Sequence, residues 1–157
     1  MNTRRSSHLA TGVRVCTAVQ TVETAEQSVF VDITDLVEEV VAESSVTAGA
    51  ALVFSRHTTA AIVINEAEPG LLRDMERMLE RLAPRGGEYL HNAMARTIPN
   101  EPENGHAHLR HLLLGASETV PVVDGRLHLG AWQRIFLAEL DGPRRREIVM
   151  QVTGVEG

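Results

Sequence analysis

Lysine is absent from this chain of 157 residues, and its 15 basic side chains are all arginine. Schiff-base catalysis on a lysine is therefore excluded. Cysteine occurs once, so neither an intramolecular disulfide nor a cysteine-rich zinc site can form, and Cys16 is expected to lie buried in the first strand as a small hydrophobe. Aromatic residues make up only 3% of the chain against 43% hydrophobic, so Val, Leu, Ile and Ala must fill the core, which favours interleaved strands and helices over an aromatic ligand groove. The formal net charge is −6, with no basic stripe interleaved with aromatics, which argues against a nucleic-acid partner. The one basic run, Arg144-Arg145-Arg146, follows Asp141-Gly142-Pro143 and reads as a turn between strands. No apolar run is long enough for a membrane span or a signal peptide, and the expectation is a cytoplasmic protein with no membrane partner.

What is present fits one compact domain over residues 12–157 behind a flexible N-terminus, 1–11. Residues 12–19 and 28–33 alternate with β-branched side chains and read as two antiparallel strands joined around 23–27. Asp35 and Glu38 have the spacing of a capping box, opening a helix to about 44 with Leu36, Val37, Val40 and Val41 inward. A buried strand over 51–55 leads into His57, and another covers 60–64. Pro69 suits a first helical turn, followed by Leu71, Leu72, Met75, Met78, Leu79 and Leu82 at helical spacing. Periodicity then vanishes over 85–105, and a loop that long inside a compact domain points to function. A short helix over 107–114 precedes a hairpin turning at Asp124-Gly125, and strands over 132–140 and 147–153 end the chain. Few, clustered helices among many strands predict an α+β fold with an antiparallel sheet or sandwich rather than a doubly wound one.

The segment from His57-Thr58-Thr59 to Asn65-Glu66 sets polar groups at both ends of an apolar strand. His57, His91 and His108 stand at the edges of patterned elements, and three imidazoles with an open fourth position make a catalytic zinc shell; the alternative is structural hydrogen bonding. His106, His108 and His111 cannot all face one way on a helix, although His108 and His111 can. Glu66 and Glu139 each follow an apolar strand, where desolvation can tune a carboxyl for proton transfer; for Glu66 a helix-dipole role competes. Asp74 falls on the Leu71 and Met78 side of its helix, apart from Arg73, Arg77 and Arg81. Thr58 and Thr59 can orient His57 or bind an anion, or simply satisfy strand propensity. Trp132 with Gln133 can wall a pocket or pack on the sheet. Ser117 lacks the second glycine of a nucleophile elbow, which argues against a serine hydrolase.

Taken in order, His57-Thr58-Thr59 with Asn65-Glu66, Asp74, the 89–92 and 104–108 segments, Gly115 with Ser117, Pro121, Gly125-Arg126-Leu127 and Gly130-Ala131-Trp132-Gln133 through Glu139 resemble the YjbQ-like family. Ala131 stands where that family usually has threonine, and Asp141-Gly142-Pro143-Arg144 looks like one branch of it. The resemblance implies a two-sheet antiparallel β-sandwich with flanking helices, a homotrimer, and a polar pocket with His57, His91 and His108 on a metal. His106 and His111 fall outside the shared pattern. The implied activity is secondary thiamine-phosphate synthesis, joining a pyrimidine methyl pyrophosphate to a thiazole phosphate. Thr58, Thr59, Asn65, Ser117, Arg126, Trp132 and Gln133 then contact substrate, and Glu66, Glu139 and Asp74 serve as catalytic carboxylates, with Glu66 and Glu139 alternatively acting as supporting partners of the histidines. Pyrophosphate chemistry usually runs on Mg²⁺ held by carboxylates, whereas three histidines suit zinc. That mismatch raises a second reading, a metal-dependent hydrolase of a small phosphorylated or acyl metabolite. A third is a non-enzymatic trimer binding a small anion or metal.

Overall fold

The computed structural model describes residues 4–10, 12–25 and 29–157. Among these described residues, nine strands and four helices follow one another as β1 (Arg4–Ala10), β2 (Val13–Glu23), β3 (Val29–Asp32), α1 (Thr34–Ser44), β4 (Ala48–Ser55), β5 (Ala60–Asn65), α2 (Pro69–Leu82), α3 (Leu90–Ala95), α4 (Gly105–Leu114), β6 (Ser117–Val123), β7 (Arg126–Leu127), β8 (Arg134–Glu139) and β9 (Arg145–Val155). All pairings are antiparallel, in a six-stranded sheet ordered β1-β2-β9-β4-β6-β7 and a three-stranded sheet ordered β3-β8-β5. The fold is the expected α+β sandwich of two antiparallel sheets with helices. No helix of the described residues is long and apolar enough to cross a membrane.

The main core lies between the sheets. Ala51 and Val53 of β4 and Ile148, Met150 and Val152 of β9 meet Ile62 of β5 and Ile135 and Leu137 of β8, and Val37, Val40 and Val41 of α1 close it. Helices α2 and α4 cover the other face of the small sheet, where Leu79 and Ala107 pack on Ala61, Ala138 and Leu140. Strand β8 is thus buried on both faces, which explains its unbroken run Ile135-Phe136-Leu137-Ala138 in place of alternation.

Several local expectations change. The stretches over 12–19 and 28–33 form no hairpin: β2 pairs with β1 and β9, whereas β3 pairs with β8 in the other sheet. Residues 26–28 of their connection lie outside the described residues. The N-terminal stretch expected to be flexible contributes β1, paired with β2 from Arg4↔Val19 to Ala10↔Val13. The capping box does not form. Asp32 Oδ1 instead accepts from the Thr34 N–H at 2.9 Å and the Thr34 hydroxyl at 2.7 Å, while Asp35 pairs with Arg134. The 85–105 segment contains α3. Asp124 and Gly125 take φ of 51° and 74°, as the hairpin turn requires. Cys16, free and half-buried on β2, packs against the main core.

Phe136 is 1% exposed and meets Phe30 edge to face, with centroids 6.2 Å apart. Phe136→Ala should lower unfolding free energy by about 3–5 kcal/mol in urea titration, because the double-sided burial leaves a cavity that cannot collapse. A loss below about 1 kcal/mol would contradict that packing.

Candidate functional site

The alternation that points Ile148, Met150 and Val152 inward on β9 extends back to Arg146, which is 2% exposed. The apparent basic turn therefore sends one guanidinium into the interior. Its partner is Glu139, the last residue of β8 and 0% exposed. Arg146 Nε donates to Glu139 Oε2 at 2.7 Å and Nη2 donates to Oε1. The backbone N–H groups of Asp141 and Gly142 donate to Oε1 at 3.0 and 2.7 Å, and the Thr24 hydroxyl donates to Oε2 at 2.9 Å. Burial alone pushes the carboxyl upward, but the Arg146 fork and the two backbone donors overcome it and hold the group at about 2 against an ordinary 4.5. A Cβ on Gly142 would lie 2.6 Å from Glu139 Cδ, so only glycine lets the chain wrap the carboxylate.

Glu139 is thus no proton carrier. Its lone pairs are taken and it stays ionised, so the catalytic role assigned from sequence gives way to a structural one. Arg146 spends its remaining donors on Thr59, with Nη1 to Oγ1 and Nη2 to the carbonyl, both at 3.1 Å, so buried Thr59 is fixed while Thr58 beside it is exposed. One residue along β9, the Glu147 N–H donates to His57 Nε2 at 2.8 Å. Burial, then the Arg146 charge, holds the His57 imidazole below its ordinary range. Neutral His57 therefore has its lone pair engaged by backbone and its proton on Nδ1.

The long segment and α4 bring the other histidines together. His91 and His108 meet edge to face with centroids 4.8 Å apart. His91 Nε2 lies 3.0 Å from Asn104 Oδ1, Asn104 Nδ2 donates to Asp141 Oδ2 at 2.7 Å, and Arg144 Nη2 pairs with the same oxygen at 2.7 Å. One turn along α4, His111 Nδ1 lies 3.0 Å from the Ala60 carbonyl. His108 is held below the ordinary imidazole range by burial and then by the charge of His91. His106 is 2% exposed, neither ring nitrogen has a hydrogen-bond partner among the described residues, and burial keeps it neutral too. Buried Arg110 ties α4 to α2 through Glu80 and, at 3.0 Å, the Ala83 carbonyl.

The remaining predicted residues lie elsewhere. Asn65 pairs with Arg134 at one end of the small sheet while Ala60 pairs with Glu139 at the other, roughly 17 Å apart at ~3.3 Å per residue. Glu66 and Trp132 share a cleft of about 400 Å³ at the Asn65 end, with Trp132 73% exposed. Gln133 there closes a turn by accepting from the Gly130 N–H at 2.7 Å. Glu68, not Glu66, caps α2, accepting from the N–H groups of Gly70 and Leu71. Arg126 pairs with Val123 in the hairpin, at the end of the large sheet remote from exposed Ser117, which opens β6 opposite Phe54. Asp74 is 71% exposed and faces Arg77 at 3.5 Å, so it touches none of the other candidates. The helical period set Asp74 apart from Arg77, but the two pair on the exposed surface of α2, where Met78 too is 48% exposed.

Among the described residues no three His, Cys, Asp or Glu side chains stand close enough to hold a metal ion. The expected His57, His91 and His108 shell does not fit this chain, because His57 commits its lone pair to Glu147. Asn104 and Asp141 carried no expected role, although both sit in motifs noted in the sequence. Arg146 was legible only through the β9 alternation.

The Arg146–Glu139 pair generates a pH dependence. A folded-state carboxyl held at about 2 contributes stability above its ordinary 4.5 and loses it as pH falls from 4.5 toward 2. Urea titrations should show wild-type stability falling across that window. Glu139→Gln, which leaves a buried guanidinium uncompensated, should cost roughly 3–5 kcal/mol near neutrality and flatten the acid dependence.

The family model described as UPF0047 protein YjbQ-like matches residues 18–155. A UPF0047 protein of Methanothermobacter thermautotrophicus is 47% identical over 131 residues, covering 83% of this chain and 87% of its own. The UPF0047 protein YugU of Bacillus subtilis is 37% identical over 134 residues, covering 85% and 96%. Among solved structures, a YbjQ-like protein of unknown function from Sulfolobus solfataricus superposes with a TM-score of 0.84 at 40% identity, over 90% of this chain and 99% of that one. With motifs, fold and matches in agreement, this chain belongs to the YjbQ-like UPF0047 family.

Proposed function

We propose that the chain is an enzyme that uses the His91–His108 pair for general acid–base chemistry on a small phosphorylated metabolite. The observation that carries this reading is the edge contact of two half-buried imidazoles, His91 being linked through Asn104 to Asp141 and Arg144, in a chain without lysine. Arg144 and exposed Thr58 supply donors for a phosphate, and an imidazole can give its proton to a departing phosphate or pyrophosphate oxygen. Thiamine-phosphate formation from a pyrimidine methyl pyrophosphate and a thiazole phosphate is the specific candidate reaction, and hydrolysis of a phosphorylated or acyl compound uses the same groups.

A divalent metal belongs to a narrower form of this proposal. In it His91 and His108 would supply two imidazoles, and a complete shell would take its further donors from substrate or a second copy. The homotrimer is proposed on exposed Leu90, Met94, Leu112, Leu113 and Trp132, apolar side chains that association would cover. Association would also let the Glu66–Trp132 cleft of one copy approach the imidazoles of the next.

A panel of phosphorylated metabolites, including the thiazole phosphate with the pyrimidine pyrophosphate, tests the reading. Turnover of at least one compound should fall about 10²–10⁴-fold in both His91→Gln and His108→Gln. Retained turnover in both variants sinks the assignment, and binding without conversion favours a non-enzymatic anion-binding protein. Trp132 is the sole tryptophan, so its emission should shift to shorter wavelength as concentration rises and copies assemble. A concentration-independent spectrum from monomer would remove the trimer from the proposal.

A further inference from the structure

Asparagine at a helix N-cap usually turns its side chain onto the first backbone N–H groups of the helix. Asn104 occupies that place before α4 and makes no such bond. Asn92, from α3, does the work instead, its Oδ1 accepting from the Gly105 N–H at 2.9 Å. The Asn104 amide, 4% exposed, is thereby released to span His91 and Asp141.

An amide donates from one end and accepts at the other, whereas an ionised carboxylate only accepts. Asp141 Oδ2, anchored by Arg144, takes the Nδ2–H, so Asn104 presents its carbonyl oxygen to His91. Turning the amide over would set oxygen against oxygen at 2.7 Å. The backbone of Asp141 is fixed in turn by its N–H bond to Glu139.

We infer that Asn104 and Asp141 are positioning residues that lock His91 as the Nε2–H tautomer, leaving Nδ1 as the bare nitrogen offered for chemistry. A neutral imidazole whose outer N–H is held through an amide on a carboxylate is oriented and made a better base, as an outer partner does for a catalytic or metal-bound histidine. This inference rests on the reading of His91 as an acid–base group, but its geometry is independent of turnover.

The alternative, that Asn104 merely ties α3 to α4, predicts no effect on the ring proton. The test is imidazole ¹⁵N–¹H spectroscopy of the full chain in mildly alkaline buffer, where histidines are neutral. Wild type should show His91 as a single Nε2–H tautomer with a slowly exchanging proton. Asn104→Leu should lose that signal. Asp141→Asn, which lets the amide turn over, should give a mixture with Nδ1–H. Wild-type His91 found as Nδ1–H, or an unchanged signal in folded Asn104→Leu and Asp141→Asn, overturns the inference. The wild-type spectrum alone decides it should the variants fail to fold. If the tautomer is as inferred yet His91→Gln keeps full turnover, the positioning stands and the catalytic reading falls.

Discussion

The buried Arg146–Glu139 pair is the interaction on which the candidate site depends. Two charges taken out of water cost several kcal/mol each, and only saturated hydrogen bonding offsets that. Here the Glu139 oxygens receive the guanidinium fork, two backbone N–H groups and a threonine hydroxyl, while Arg146 adds both polar groups of Thr59. Each partner is at the end of a strand, so the pair fixes where β8 stops, how the 141–144 turn wraps back, and where the 57–59 segment crosses. An apolar pair of similar volume could fill the space, yet it would not hold those three backbones in register.

From that pair the geometry propagates outward through named contacts. Glu139 sets the Asp141 backbone, Asp141 holds Asn104, and Asn104 reaches His91, which leans on His108. On the other side Arg146 fixes Thr59, and the adjacent Glu147 N–H holds His57. The site is thus built on strand ends and one anchored helix, although several of its residues are in loops. Such support restricts how far these side chains can move.

The architecture was legible because hydrophobic periods of two and of 3.6 are local, and the elements over 34–44, 69–82 and 117–127 follow from them. Pairing was less so. The alternation over 12–19 and 28–33 says that strands exist, but their assignment to separate sheets is decided by β8 and β9, more than 100 residues later. At the site, sequence marked the histidines but not the groups that hold them. A strand-end glutamate looks like a general acid until its partners are known, and Arg146 looked like surface because it stands in a basic triplet. Asp74 shows the converse limit: periodicity gives a helix face but not whether that face is covered within one chain.

Two imidazoles in contact constrain each other's protonation. Unit charges 4.8 Å apart repel by roughly 3 kcal/mol at an effective dielectric of about 20, so a charge on either ring opposes one on the other. The charge of His91 is among the causes that hold His108 low, in the same sense. His57, one strand away with its lone pair committed to backbone, offers only an Nδ1–H. The histidines that looked equivalent in sequence therefore divide by their partners, His57 accepting from the Glu147 backbone while His91 meets Asn104 and leans on His108, a division set by Glu147 and Asn104 rather than by the imidazoles themselves.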